Sequence, residues 1–546
     1  MRVPGSTSFL MQYITMSDGP YSRLEEPDRV NRRHRIHLLG WMNVVLCLLL
    51  VLIGIILMGT LIPRAWYHRR FHPYPGNPCT NPFTNCPLIL ISMNGFRHDY
   101  LELVRSRYGP KALPNFHRFQ SQGVRGMRSI GTYPTLTMPS HQTLVTGLNP
   151  ESHGVVGDNL QDTEWPGTVF RMRNQTSLNK SPWLESWPEP IWFTLQRTGR
   201  LAGSLLWPLT DAPVRSDLPF VQVSEFTMLN EPESRYMYDK RVTDLLHWLD
   251  NPYFQLDLIL AYFGEPDRSG HTYGPASEEV ARQVVELDGV LGQLLSGLEA
   301  KELGDRVDII LTSGHGMTEV RQQINLDSYV DSSLYAYTEL STVGFLYPEP
   351  GKLDEVFRKL QGASIHMKVY KSEDMPAELN FSQNSSRMPA LVVIPDAGWC
   401  LVKENKSHCD VGDHGYPTNV TDMDAFFLAR GPSFLNNATT PLINALDIYP
   451  LMAGMLGINP RPNNGSLERI AHEVLKPDVA ERILTTPVWF PRWWAWFMWN
   501  LSMIWIIIGF AFWVVLFSLL LTSVYVQRQD IRILVVPDTK WLDEKV

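Results

Sequence analysis

Two long uncharged stretches constrain this chain more than any other feature. Leu38–Ile62 runs 25 residues with no charge and only Asn43 as a strongly polar side chain. About 20 apolar residues suffice to cross a bilayer as a helix. A cleavable signal peptide fits poorly, because 37 residues precede the stretch and signal apolar regions run only ~7–15 residues. The second stretch, Phe497–Val524, is flanked by Trp493, Trp494, Trp496 and Trp499, the aromatic belt of a membrane interface. A fully water-soluble fold is therefore excluded, and a two-pass membrane protein is expected.

Basic residues alone orient it weakly. Arg29, Arg32, Arg33 and Arg35 precede the first stretch, yet Arg64, Arg69 and Arg70 follow it; Arg528 and Arg532 follow the second. The excess leans toward both termini in the cytoplasm. Glycosylation signals decide the orientation. Asn174, Asn179, Asn380, Asn384, Asn405, Asn419, Asn437 and Asn464 each begin an N-x-S/T, all between the two stretches. Such a set marks a glycosylated lumenal or extracellular domain. The expected organisation is a cytoplasmic tail (1–37), a transmembrane helix (38–62), a stalk (63–86) and an ectodomain (87–487). A juxtamembrane segment (488–496), a second transmembrane helix (497–524) and a second tail (525–546) follow. The plasma membrane and the endomembrane system are both open as locations. Five cysteines fit an oxidising compartment, with local pairs Cys79–Cys86 and Cys400–Cys409 expected; cross-pairing and free thiols stay open. No CxxC appears, so a zinc finger is excluded.

The 48 Lys+Arg against 56 Asp+Glu give a net charge of −8, which offers no basic surface for a nucleic-acid duplex. Within the ectodomain, short apolar runs alternate with helical patterns. Leu88–Met93, Leu256–Phe263, Val307–Thr312 and Ala390–Ile394 read as buried strands, and Ser277–Leu303 as an amphipathic helix. This is an α/β pattern, a mostly parallel central sheet with helices on both faces. Ligands of such sheets collect at the carboxyl ends of the strands. There stand Asn94-Gly95-Phe96-Arg97, Glu265-Pro266-Asp267-Arg268-Ser269-Gly270-His271 and Ser313-Gly314-His315-Gly316. Gly412-Asp413-His414-Gly415 lies further on, and Tyr133 to His141 opens a helix that puts a hydroxyl near its N-terminus, where a phosphate is favoured.

These segments resemble the nucleotide pyrophosphatase/phosphodiesterase family of the alkaline phosphatase superfamily, from Pro87 to about Leu467. The resemblance rests on Thr135-Leu136-Thr137-Met138-Pro139, Thr146-Gly147 through His153-Gly154, Glu265-Pro266-Asp267 with His271, and Pro462-Asn463-Asn464-Gly465-Ser466-Leu467. It implies an alkaline-phosphatase-like fold and hydrolysis of nucleotide or lipid-headgroup phosphodiesters with two zinc ions and a threonine nucleophile. Carried onto this chain, Asp267, His271 and His414 match the ligands of one zinc. Thr137 matches the nucleophile, and Asn159 a side chain that holds a phosphate oxygen. A vestigial cluster without metal is the competing reading of the trio.

The second zinc position departs from the family pattern. Asn94 and Gly314 stand where the family has aspartates, and His315 remains. One zinc rather than two is therefore expected. Asp99, Asp158 and Asp413 are the acids that sequence proximity offers as substitutes. Two functions compete. One is a catalytically impaired member, a pseudoenzyme binding a phosphorylated ligand (a nucleotide or a phospholipid headgroup) or a protein partner. The other is an active zinc-dependent phosphodiesterase using Thr137. An insert at about 161–250, rich in Trp (Trp165, Trp183, Trp187, Trp192, Trp207), is where the family selects its ligand.

Overall fold

The apolar runs become a central sheet whose middle strands expose neither face. In chain order the strands of the sheet are β1 (Leu88–Met93), β2 (Gly123–Ile130), β3 (Ala202–Leu205), β4 (Val221–Val223), β5 (Leu258–Phe263), β6 (Asp308–Thr312), β7 (Ala425–Arg430) and β8 (Ala438–Thr440). This is a computed structural model that describes residues 86–165, 168–171, 174, 188–224, 235–382, 386–403, 408–485, 509 and 512–521. The order across the sheet is β8–β2–β7–β6–β1–β5–β3–β4, with Ile443–Asn444 also paired to β2. The β6–β1–β5–β3–β4 half is parallel throughout, whereas β7 runs antiparallel to both β2 and β6. The sheet is thus mixed, and mostly parallel as expected.

Alternation along β1 shows why both faces are dry. Leu88 and Leu90 enter one core with Leu258, Leu260 and Ile310, and Ile89, Ile91 and Met93 enter another with Ile259, Ala261 and Leu311. Helix α3 (Glu278–Ala300) covers the second face through Val284, Leu287, Leu291, Leu294 and Leu298, at helical spacing. Ser277 caps it, its side chain accepting from the Val280 N–H at 3.2 Å. Helices α1 (Thr137–Thr146) and α4 (Ala445–Leu456) pack on the other face.

One expected strand lies apart from the central sheet, and one expectation needs correction. Ala390–Ile394 is a buried strand as expected. It becomes Leu391–Pro395 in a separate antiparallel sheet with Tyr335–Leu340, Gly344–Pro348 and Met367–Lys371; an apolar run carries no mark of its neighbours. The segment 161–250 is not wholly an insert, since β3 and β4 belong to the central sheet. Trp192 and Trp207 are fully buried in its core, whereas Trp165 is exposed.

The chain divides into two compact units, Met1–Tyr67 with Arg492–Val546, and His68–Pro491. The expected span Leu38–Ile62, and Phe497–Val524 apart from residues 509 and 512–521, lie outside the described residues. No helix of the described residues is long and apolar enough to cross a membrane. Cys400–Cys409 is a disulfide; Cys86 is disulfide-bonded too, and Cys79, its expected partner, lies outside the described residues. Asn174, Asn380, Asn419, Asn437 and Asn464 are exposed, and Asn179, Asn384 and Asn405 fall outside the description.

Candidate active site

Register brings the site together. Met93 of β1 pairs with Phe263 of β5, and Ser92 pairs with Thr312 of β6, so the loops beyond all three strands leave the sheet side by side. The Asp267 N–H donates to the Asn94 carbonyl at 2.9 Å, locking two of those loops. Asp267 and His271 lie on α2 (Asp267–Tyr273), one turn apart on one face. His414 arrives from the loop after the Gly412–Asp413 pair with Thr318–Glu319. A cavity of about 570 Å³ opens over these residues, its walls including Asn159, Arg241, Asp267, His271 and His414.

The three residues of the expected trio line one cavity. Asp267 Oδ2 is 3.6 Å from His271 Nε2, and Asp267 Oδ1 is 3.5 Å from His414 Nε2. His414 Nδ1 donates to the Thr135 carbonyl at 2.9 Å, which leaves Nε2 as a bare acceptor facing Asp267. His271 Nδ1 sits 3.1 Å from Asp410 Oδ2, and its Nε2 faces Asp267. Such outer partners fix the tautomer a metal needs. Burial opposes charge on His271, but the carboxylates of Asp267, Asp410 and Asp413 outweigh it and push this imidazole up to about 10. Asp267 Oδ1 is buried without a hydrogen-bond partner, a costly state for a carboxylate and one that a cation relieves. Two clusters with metal-ligand spacing share His414, namely Asp267–His315–His414 and His271–Asp413–His414. The expected trio is spread over both. These residues fit a zinc ion.

The second position is built differently. Thr137 is the first residue of α1 and is buried. Its Oγ1 lies 3.2 Å from His315 Nε2 and receives the Asn94 Nδ2 amide at 3.4 Å. His315 Nδ1 donates to the Gly316 carbonyl at 2.9 Å, so Nε2 accepts the Thr137 hydroxyl proton. Burial, reinforced by the His414 ring stacked on it at 3.5 Å, holds His315 well below the ordinary imidazole range, in the neutral form. Gly314 is outside the left-handed region. Its side-chain space is taken: a Cβ there would come within 2.8 Å of His141 Cε1 and 3.1 Å of Ser140 Cβ. His141 is itself pinned, with Nδ1 donating to the Thr137 carbonyl and Nε2 facing Ser92 Oγ, both at 2.7 Å.

An amide, a hydroxyl and an imidazole are all neutral, and the carboxylate within reach of a dication beside His315 is Asp267, which is also a donor of the first position. This donor set does not fit a second zinc. The substitute acids are engaged elsewhere. Asp99 pairs with Arg97, Asp158 Oδ1 accepts from the Met138 N–H at 2.8 Å, and Asp413 binds Ser341 Oγ at 2.5 Å and its neighbour's N–H. Asn159 lines the cavity beside Glu339, whose Oε1 accepts from the Asn159 backbone N–H at 2.5 Å. Asp410, Glu339 and His141 were not among the expected site residues; Asp410, four positions before His414, is the one whose spacing offered a hint.

Comparison with known proteins agrees with this geometry. The family model described as type I phosphodiesterase/nucleotide pyrophosphatase matches residues 88–417. The chain belongs to that family. Human bis(5'-adenosyl)-triphosphatase ENPP4 is 34% identical over 383 residues, covering 69% of this chain and 80% of the relative. Human ectonucleotide pyrophosphatase/phosphodiesterase family member 5 is 33% identical over 381 residues, covering 69% and 76%. Among solved structures, an inactive threonine-to-alanine variant of murine ectonucleotide pyrophosphatase/phosphodiesterase 5 in complex with AMP superposes with a TM-score of 0.65. It shares 30% identity and covers 71% of this chain and 100% of that one. The alkaline-phosphatase-like α/β fold and the hydrolase family are thereby fixed, and the family's metal dependence has a place in this chain.

Proposed function

We propose that this protein is a membrane-anchored, lumenal or extracellular phosphodiesterase relative that holds a nucleotide-type phosphate ester on a single zinc ion and turns it over poorly. One observation carries this reading. Asp267, His271 and His414 form a pre-oriented donor set, while Asn94 and Gly314 leave the second position without a carboxylate. Bound at the trio, zinc would supply a Lewis-acid contact that offsets phosphate charge. Asn159 would hold a phosphate oxygen, and Thr137 would face phosphorus. Binding survives the loss of the second ion because the charges cancel. Two aspartates and a dication sum to zero, as do Asn94 and Gly314 with no ion. Turnover does not survive it, since removing one catalytic electrostatic group already costs ~10²–10³ in rate. The AMP carried by the murine relative supports a nucleotide as the ligand over a lipid headgroup.

One contact favours the second reading, an active phosphodiesterase. The Thr137 hydroxyl donates to a neutral His315 whose other nitrogen is anchored, the arrangement of a nucleophile beside a base. A zinc and AMP binding assay with a turnover measurement on the same sample separates the two. Under the proposal AMP binds, binding vanishes with His271→Ala, and turnover stays marginal. Efficient turnover that disappears with Thr137→Ala would establish the active reading instead.

The anchoring rests on the two apolar stretches, and the exposed Phe512, Trp513 and Phe517 of the helical residues 512–521 support it. A protein partner of the ectodomain belongs to the same proposal. Enzymatic deglycosylation should lower the mass of the intact protein by several glycans, with tags at both ends reachable only after permeabilisation. Glycan-free protein with externally exposed tags would overturn this topology.

A further inference from the structure

Glu339 is the penultimate residue of the strand Tyr335–Leu340, at the edge of the small antiparallel sheet, 180 residues along the chain from Asn159. Its Oε1 accepts from the Asn159 backbone N–H at 2.5 Å and, more loosely, from Asn159 Nδ2 at 3.4 Å. The Asp158 N–H also turns toward this carboxyl group. Asp158 in turn caps α1 through the Met138 N–H, one residue beyond Thr137. The short loop between Gly157 and Asn159 is therefore clamped on two sides, by the helix that carries Thr137 and by the small sheet. It has no slack. A Cβ on Gly157 would lie 2.9 Å from the Asn159 carbonyl oxygen, 3.0 Å from Glu339 Oε1 and 3.1 Å from Phe345 Cε2.

We infer that Glu339 is a positioning residue through which the small antiparallel sheet sets the phosphate affinity of the Thr137–Asn159 cradle. The inference deepens the proposed function and rests on Thr137 and Asn159 being the residues that meet phosphate. An amide nitrogen carries two hydrogens. Glu339 engages one and so fixes the plane of Asn159, which leaves the other for a ligand oxygen. The backbone bond, much the shorter, fixes where the Asn159 Cα sits. Burial, then the adjacent Asp158 carboxylate, push the Glu339 acid well above the usual range, so a neutral side chain of the same shape should serve as well. The residue acts by placing an acceptor, not by its charge. That separates it from a group that repels phosphate, which its carboxylate would otherwise do beside the cavity.

The test uses the full chain loaded with zinc, with AMP binding read by calorimetry and zinc content read on the same samples. Glu339→Ala should weaken AMP about tenfold, the loss of a single well-placed hydrogen bond, with zinc content unchanged. Glu339→Gln should stay close to the unmodified protein, because the amide oxygen replaces Oε1. Combined with Asn159→Ala, Glu339→Ala should cost nothing further, as expected of residues acting through one contact. If Glu339→Ala fails to fold, Glu339→Asp, one methylene short of the loop, takes its place with the same expected loss. Unchanged AMP affinity in that variant would overturn the inference, as would a Gln variant as weak as Ala, or fully additive losses. Should Asn159→Ala itself leave AMP binding intact, the cradle reading fails, and the inference falls with it for a distinguishable reason.

Discussion

The two positions where the family pattern places metals lie side by side, meet at the stacked rings of His315 and His414, and are built from different donors. At the first, both imidazoles have outer partners, Thr135 for His414 and Asp410 for His271, and the Asn94 carbonyl holds the backbone of Asp267. At the second, the same kind of bonding has turned inward. Asn94, Thr137 and His315 hydrogen-bond to one another, and His141 occupies the space next to Gly314. What separates the two positions is the charge of the acceptor each leaves unsatisfied. Asp267 Oδ1 is an unsatisfied acceptor at the first position. Asn94 Oδ1 is one at the second, but as a neutral amide it offers a dication no charge.

The sharpest way to break this contrast is to rebuild the second position. The double variant Asn94→Asp with Gly314→Asp should raise zinc content from one to two and raise phosphodiesterase turnover by ~10²–10³, the scale of one electrostatic catalytic group. Thr137→Ala in that background should erase the gain. Each single variant should fall far short, since each supplies one acid of two. Two zincs without turnover would move the defect to the ligand pocket.

A smaller effect tests the first position through its outer partner. Asp410→Asn should weaken zinc binding by about tenfold to a hundredfold, as outer-sphere partners of metal-binding histidines do, measured by chelator competition. No loss would mean that the 3.1 Å contact to His271 is incidental. Protonation gives a third handle. His271 is raised to about 10 in the absence of metal, so at neutral pH zinc must displace its proton. Affinity should therefore rise with pH, by about tenfold per unit between pH 7 and 9 for one released proton. In the Asp410→Asn protein His271 loses one of its raising carboxylates, and that slope should flatten. The least effect is expected from Gly314→Asp alone. It should lower the melting temperature by a few degrees, because a crowded buried site costs ~1–3 kcal/mol, without adding zinc.

Much of this architecture was legible along the chain, for identifiable reasons. β1, β5, β6 and α3 announce themselves because they are buried on faces that demand unbroken apolar runs or helical spacing. Asp267, His271, His315 and His414 stand out because strand ends gather polar residues in a sheet of this kind. The small antiparallel sheet was not legible. Its strand Leu391–Pro395 is as apolar as a central strand, and pairing partners are set by topology rather than composition. Glu339 and His141 were missed for a related reason. Glu339 meets Asn159 across 180 residues, and His141 matters only because α1 delivers its ring against Gly314. Nothing local distinguishes either from an ordinary polar residue. Asp413 could be seen but not placed, since its bonds to Ser341 and the His414 N–H depend on a loop whose path the sequence does not specify.

If the Asp267–His271–His414 position alone holds a metal, a count of bound ions shows it. Zinc measured by mass spectrometry on the purified full chain, after dialysis against a zinc-buffered solution, should come to about one ion per chain, and His414→Ala should remove it. Close to two tightly held ions in the unmodified protein would contradict a single-metal site, because Asn94, Thr137 and His315 would then be holding a dication without a carboxylate of their own.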